Sequence, residues 1–147
     1  MTTVSQLMTR GVRTLSTSDT VLMAAQVMDE LNVGVIPVVD GDKLVGVVTD
    51  RDIVVRAVAR SLEGKSTRLS DVMSANVHCV AENEPIDAVL GAMAAAQIRR
   101  MPVVDGKQRL VGIVTIGDIA VKDSHDDVGV AASLADISAP AAPDRKG

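Results

Sequence analysis

The sequence contains no phenylalanine, tyrosine or tryptophan. That excludes modules that read single-stranded nucleic acid by stacking bases on aromatic rings. Any core has to be built from Val, Ile, Leu, Met and Ala. Cys79 is the single cysteine, so no internal disulfide can close. Only His78 and His125 accompany it, which leaves no Cys/His zinc constellation. Basic residues number 15 against 19 acidic ones, for a net charge of −4. A mildly acidic surface lacks the basic footprint of a duplex-DNA binder. No uncharged apolar run approaches the ~20 residues that span a bilayer. The first ten residues show no basic region leading into an apolar one. These absences, with the lone cysteine, predict a cytoplasmic chain that engages neither nucleic acid nor membrane.

What is present is a high apolar content, 47% of 147 residues, too much for a disordered chain. The apolar residues are arranged in a repeat. A shift of 65 residues lays Ser5, Met8, Val12, Met28 and Pro37-Val38-Val39-Asp40-Gly41 on Ser70, Met73, Val77, Met93 and Pro102-Val103-Val104-Asp105-Gly106. One inserted residue near Gln108 changes the shift to 66. Leu44-Val45-Gly46, Val48, Thr49, Asp52 and Ile53 then fall on Leu110-Val111-Gly112, Val114, Thr115, Asp118 and Ile119. Two copies are too few for a solenoid. Each is small for an independent fold, so a pseudo-twofold pair sharing its burial is expected.

Both copies predict the same element order. A short start at Ser5–Met8 leads to an extended stretch near Arg13–Leu15. A helix over Thr20–Asn32 follows, with Val21, Ala24, Ala25, Met28 and Leu31 at helical spacing and Asp19 as its cap. Its counterpart carries Ile86, Val89, Leu90 and Met93, with Pro85 suited to the first turn. Two Val-rich runs joined through Asp40-Gly41-Asp42 read as a hairpin, and Arg100–Val104 with Leu110–Thr115 repeat it. Their lack of alternation predicts burial on both faces. A helix begins near Asp50 and near Ile116. The fold class is α/β, an α+β sandwich of two β-α-β-β-α repeats. The expected boundaries are 1–62 and 69–124, with a polar linker at 63–68. A last helix over Val128–Ile137 and a mobile Ala/Pro-rich tail occupy 125–147.

Chemistry concentrates where each hairpin ends. Gly46-Val47-Val48-Thr49-Asp50-Arg51-Asp52 and Gly112-Ile113-Val114-Thr115-Ile116-Gly117-Asp118 both deliver a Thr and, three residues on, an Asp. One explanation is a capping box at a helix start. The other is a ligand site: an ionised Asp has acceptor oxygens for the vicinal hydroxyls of a ribose, with the Thr hydroxyl beside it. One turn alone does not decide between them.

The ordered, duplicated set of motifs resembles a tandem pair of CBS domains, a Bateman module, over about Val4 to Asp123. The motifs are an Ala/Met-rich helix, a Val/Ile-x-Pro-Val-Val-Asp strand and a Gly-apolar-apolar-Thr-x-x-Asp end. The resemblance implies a non-enzymatic regulatory module without a catalytic cofactor. It would bind AMP, ADP, ATP or S-adenosylmethionine in clefts between the repeats. By motif, Asp52 and Asp118 would hold ribose, with Thr49 and Thr115 beside the ribose and first phosphate. Val35 and Ile36, and Arg100 and Met101, would line the purine. Thr14 and Cys79 would close the base pocket, and Arg51, Arg99 and Arg100 would meet phosphates. Apolar helix faces left over from the shared core predict a homodimer; a protein partner would receive the signal. A ligand-free dimeric scaffold is the alternative.

Other candidates carry less. Gly112 to Gly117 has phosphate-loop spacing but lacks the following Lys-Ser/Thr. His78 and Cys79 are adjacent on an extended segment and point apart, which spoils a nucleophile–base pair. His125-Asp126-Asp127 offers metal donors, but exposed acids in a tail are ordinarily solvated, and no metal site is assigned there.

Overall fold

The computed structural model describes residues 2–122. The expected helix at Val128–Ile137 and the tail lie outside them. The described chain is mixed α/β, with two three-stranded sheets ordered β1-β2-β3 and β4-β5-β6. It runs α1 (Val4–Leu7), β1 (Leu15–Ser16), α2 (Val21–Leu31), β2 (Val35–Asp40), β3 (Lys43–Thr49), α3 (Asp50–Arg56), β4 (Val80–Ala81), α4 (Ile86–Ala96), β5 (Arg100–Val104), β6 (Leu110–Thr115) and α5 (Ile116–Lys122). Short 3-10 turns occupy Val58–Arg60 and Leu69–Asp71. In the first sheet β1 runs parallel to β2, with Leu15 opposite Val38. The chain returns through α2, as a parallel crossover requires. β2 and β3 form an antiparallel hairpin in which Asp40 pairs with Lys43. Gly41 takes a positive φ of 67° at its tip, a conformation that suits glycine.

The chain divides into two compact units, and these exchange their leading segments. One unit gathers residues 2–10, 79–103 and 111–122; the other gathers 11–78 and 104–110. Two cores match this division. Leu15, Val21, Ala24, Val27, Met28, Ile36, Val38, Val48, Leu69 and Val72 pack together. Val4, Leu7, Met8, Val80, Ile86, Val89, Leu90, Met93, Met101, Val103, Val114 and Ile119 form the other. Thus Val4 and Leu7, at the start of the first repeat, pack with the body of the second. Leu69 and Val72, at the start of the second, pack with the body of the first.

The backbone repeats this exchange. Val21 N–H donates to Thr67 O at 2.9 Å and Ile86 N–H to Thr2 O at 3.2 Å. Leu69 N–H donates to Asp19 O at 2.8 Å and Val4 N–H to Glu84 O at 3.0 Å. Each leading segment therefore supplies a carbonyl to an amide that a helix start leaves unpaired. Residues 63–68, expected as a linker, take part in this bonding: Leu22 N–H donates to Gly64 O at 2.9 Å.

Local expectations need three corrections. Thr20, not Asp19, caps α2: its Oγ1 accepts from Met23 N–H at 3.2 Å. Asp19 instead accepts from Ser16 N–H at 2.7 Å, closing the turn before the helix. In α2 the buried residues are Val21, Ala24, Val27 and Met28. Ala25 and Leu31 face outward, and Val27 takes the core position they were expected to share. Finally, β2 and β5 are buried almost throughout, but β3 and β6 alternate. The cause is sheet order, because β3 and β6 are outer strands and only one face of each meets its core.

Candidate functional site

Each hairpin ends in a tight Thr/Asp turn, and the two turns are built alike. In the first, Asp52 N–H donates to Thr49 Oγ1 at 3.0 Å, and Thr49 N–H donates to Asp52 Oδ2 at 3.0 Å. In the second, Asp118 N–H donates to Thr115 Oγ1 at 3.0 Å, and Thr115 N–H to Asp118 Oδ2 at 3.2 Å. The reciprocal capping box is therefore real at both positions.

The glycine that opens each motif has a separate cause. Ser74 N–H donates to Val47 O at 2.8 Å, and Val47 N–H donates back to Ser74 O at 3.0 Å. Thr9 and Ile113 make the same exchange, at 2.8 and 3.0 Å. The leading segment thus crosses the outer strand at close range. A Cβ on Gly46 would stand 2.7 Å from Ser74 O, and one on Gly112 would stand 2.7 Å from Thr9 O. No side chain fits at either point.

This crossing also furnishes Asp52 with partners that sequence reasoning missed. The Ser74 hydroxyl donates to Asp52 Oδ1 at 3.2 Å and Oδ2 at 3.3 Å. Arg56 Nε lies 3.8 Å from Asp52 Oδ1, while its Nη1 donates to Met73 O at 3.1 Å and Val72 O at 3.4 Å. Asp52 is only 8% exposed in consequence. One signal was available: Arg56 follows Asp52 by four residues on a helix, a spacing that favours such a pair. Nothing local announces Ser74, which lies 22 residues away. A carboxylate has about four acceptor positions. The Thr49 amide and the Ser74 hydroxyl leave part of that capacity for further donors.

The remaining sequence-derived residues separate into two groups. In the unit that holds residues 11–78, Val35 is the cross-strand partner of Thr49, so the two side chains share a face of the sheet. Thr14 directly precedes β1, and Arg51 follows Asp50 on the first turn of α3. Ile36 is 1% exposed and belongs to the core. In the unit that holds 79–103 and 111–122, Arg99 and Arg100 are exposed at the start of β5. Met101 is 2% exposed and is likewise core. The side chains of Ile36 and Met101, expected to line a purine, are thus taken up by packing. Their neighbours Val35 and Arg100 stand on the accessible side.

Cys79 directly precedes β4 and is half-buried. Burial, and secondarily the negative charge of Glu84, push its thiol above the ordinary value of 9.0. Its thiol is protonated at neutral pH and is not a thiolate nucleophile. Among the described residues, no group of three or more His, Cys, Asp or Glu gathers in a way that could hold a metal ion. His125-Asp126-Asp127 lies outside them. No helix among the described residues is long and apolar enough to cross a membrane.

The CBS domain family model matches residues 4–58 and 69–124. The chain belongs to the CBS domain family, with two copies in tandem. It is 41% identical to YlbB of Bacillus subtilis over 140 residues, which span 94% of this chain and 93% of that one. It is 38% identical to hypoxic response protein 1 of Mycobacterium tuberculosis over 121 residues, 82% of this chain and 84% of the relative. Among solved structures, Hypoxic Response Protein I with two coordinated zinc ions superposes with a TM-score of 0.75 at 37% identity, covering 83% of this chain and 99% of that one. The CBS domain pair of MJ0100, in complex with 5′-methylthioadenosine and S-adenosyl-L-methionine, gives 0.69 at 32%, covering 83% and 95%. CBSX2 in complex with AMP gives 0.72 at 27%, covering 83% and 96%.

Proposed function

We propose that this CBS pair is a non-enzymatic regulatory module of the cytoplasm. It binds an adenosine-containing ligand at its Thr/Asp turns and acts through a homodimer. One observation carries the reading. Two turns of the same hydrogen-bond geometry stand at equivalent points of a duplicated unit whose solved relatives hold AMP in one case and 5′-methylthioadenosine with S-adenosyl-L-methionine in another. Asp52 and Asp118 would accept from the vicinal hydroxyls of the ribose, which suit a carboxylate. Thr49 and Thr115 fix each carboxylate through their backbone N–H. Val35 and Arg100 flank the Thr on the neighbouring strand. The ligand signals by binding one pre-existing arrangement better than another, which is the only way binding can shift an equilibrium.

A second reading, a ligand-free dimeric scaffold, draws on the burial of Asp52 and its bonds to Ser74 and Thr49. Isothermal titration separates the two. AMP, ATP and S-adenosylmethionine are titrated into the full chain, then into Asp52→Ala and Asp118→Ala, with circular dichroism to confirm folding. The regulatory reading expects saturable heat with at least one ligand. It also expects each substitution to weaken binding at its own turn at least tenfold, about 1.4 kcal/mol. Absence of heat with every ligand leaves the scaffold.

A further inference from the structure

The two turns share a hydrogen-bond frame but not a charge. Gly34 O accepts from Asp50 N–H at 3.0 Å, and Arg99 O accepts from Ile116 N–H at 2.8 Å. Positions 34 and 99, and 50 and 116, are therefore equivalent in space as well as in the repeat. Val35 pairs with Thr49 across β2 and β3. Its counterpart Arg100 opens β5, as the counterpart of Thr49, Thr115, closes β6. Around the first turn the set is Gly34, Val35, Asp50 and Arg51, with a formal charge of zero. Around the second it is Arg99, Arg100, Ile116 and Gly117, with a formal charge of +2.

The exchange is concerted. Asp50 Oδ2 lies 3.0 Å from the point a Cβ on Gly34 would occupy. The carboxylate of Asp50 thus occupies space that the missing side chain vacates. In the second turn Ile116 is 8% exposed and turned into the core, while Arg99 is exposed. Among the described residues, neither the Arg99 nor the Arg100 guanidinium has a hydrogen-bond or ion-pair partner. Arg56 and Arg109, by contrast, are engaged with Asp52 and Asp105.

We propose that the two turns select adenosyl ligands by the charge of the 5′ substituent. The second turn takes a 5′-phosphorylated adenosine, and the first takes one whose 5′ group is uncharged or cationic. The proposal rests on the adenosyl reading above. A ribose anchored by its 2′ and 3′ hydroxyls carries its 5′ group on the far side of the same small ring, within reach of the long side chains beside the Thr. A phosphate there meets two guanidinium groups in the second turn, which match its oxygens in charge and donor geometry. In the first turn it meets the Asp50 carboxylate, with only Arg51 to offset it. A methylthio or sulfonium group avoids that repulsion.

Isoleucine methyl NMR on the full chain tests this, because the reporters divide cleanly. Ile116 and Ile119 belong to one unit, and Ile36 and Ile53 to the other. AMP, adenosine and 5′-methylthioadenosine are titrated separately. The expected result is that AMP shifts Ile116 at concentrations on the order of tenfold lower than adenosine does, as two screened ion pairs allow. Ile53 is expected to show the reverse order. In the double variant R99G/R100V, AMP loses that advantage over adenosine at Ile116, and circular dichroism shows that the variant is folded. If AMP and adenosine titrate both turns alike in the unsubstituted chain, or the variant leaves the ranking unchanged, charge selection is overturned and the adenosyl reading stands. If no methyl responds to any of the three, both fall.

Discussion

Asp105 occupies the hairpin position that Asp40 holds in the first repeat, yet it works differently. The first hairpin closes directly, with Asp40 opposite Lys43. The second must absorb the inserted residue near Gln108, which adopts a left-handed φ of 64°. Asp105 binds the enlarged loop from within. Its Oδ1 accepts from Lys107 N–H at 2.8 Å and Arg109 N–H at 3.0 Å, and its Oδ2 meets Arg109 Nε at 2.7 Å. Desolvation alone would raise the carboxyl. The two amides and the guanidinium outweigh it and hold the group below its ordinary value of 3.8. A carboxyl lowered on folding contributes stability that is fully present above its unfolded value and is lost as pH falls through the folded one. Carbon-detected NMR titration is expected to find Asp105 ionised below pH 3.8. In Arg109→Ala the two amides remain, so its pKa should rise only part of the way back. An unshifted Asp105 would contradict the loop geometry.

At the scale of elements, the leading segments explain the motif glycines, and the explanation has a sign that can be measured. Gly46→Ala and Gly112→Ala each press a methyl group against a backbone carbonyl that is held at both ends by strand bonding. Each is expected to destabilise by about 1–3 kcal/mol, the usual cost of overpacking. Gly91 is the control. It lies inside α4, exposed, with nothing within 4 Å of the point where an alanine methyl would stand. Gly91→Ala should stabilise by about 0.5–1 kcal/mol through helix propensity alone. Urea denaturation of the three variants checks both signs, and a neutral Gly46→Ala would remove the close crossing as the reason for the motif. Element type and order were legible in the sequence because local periodicity and turn chemistry decide them. So were both Thr/Asp turns, whose bonds span three residues. The exchange of leading segments was not, since it depends on pairs such as Val4 with Glu84 that no local pattern encodes. For the same reason Val35 and Thr49, which face each other across one hairpin, could be paired from the local pattern, whereas Ser74 could not.

At the scale of the whole molecule, the question is what covers the apolar residues that neither core takes. In α3 and the 3-10 turn that follows it, Ala57 is buried and Ile53 packs against the core. Spacing of four residues then turns Val54 and Val58 outward together. Val54 is 58% exposed, Val58 67%, and Val55 and Leu62 43% each. These are consecutive elements of one unit, so the residues form a patch and not isolated exposures. Arg56, the one charge within α3's last turn, is drawn away to Asp52 and the carbonyls of Val72 and Met73. An aliphatic strip without aromatic anchors suits a self-complementary contact, in which each copy offers the same residues to the other across a twofold axis. Light scattering on the full chain is therefore expected to give twice the 15.3 kDa chain mass. Val54→Asp with Val58→Asp would bury two unpaired carboxylates from each copy in such a contact. That variant should dissociate to monomers at concentrations at least ~10-fold above the unsubstituted chain, about 1.4 kcal/mol or more. Its circular dichroism should be unchanged, because both side chains lie outside the cores. An unsubstituted chain that is monomeric at every concentration would assign the strip to another partner and remove the homodimer.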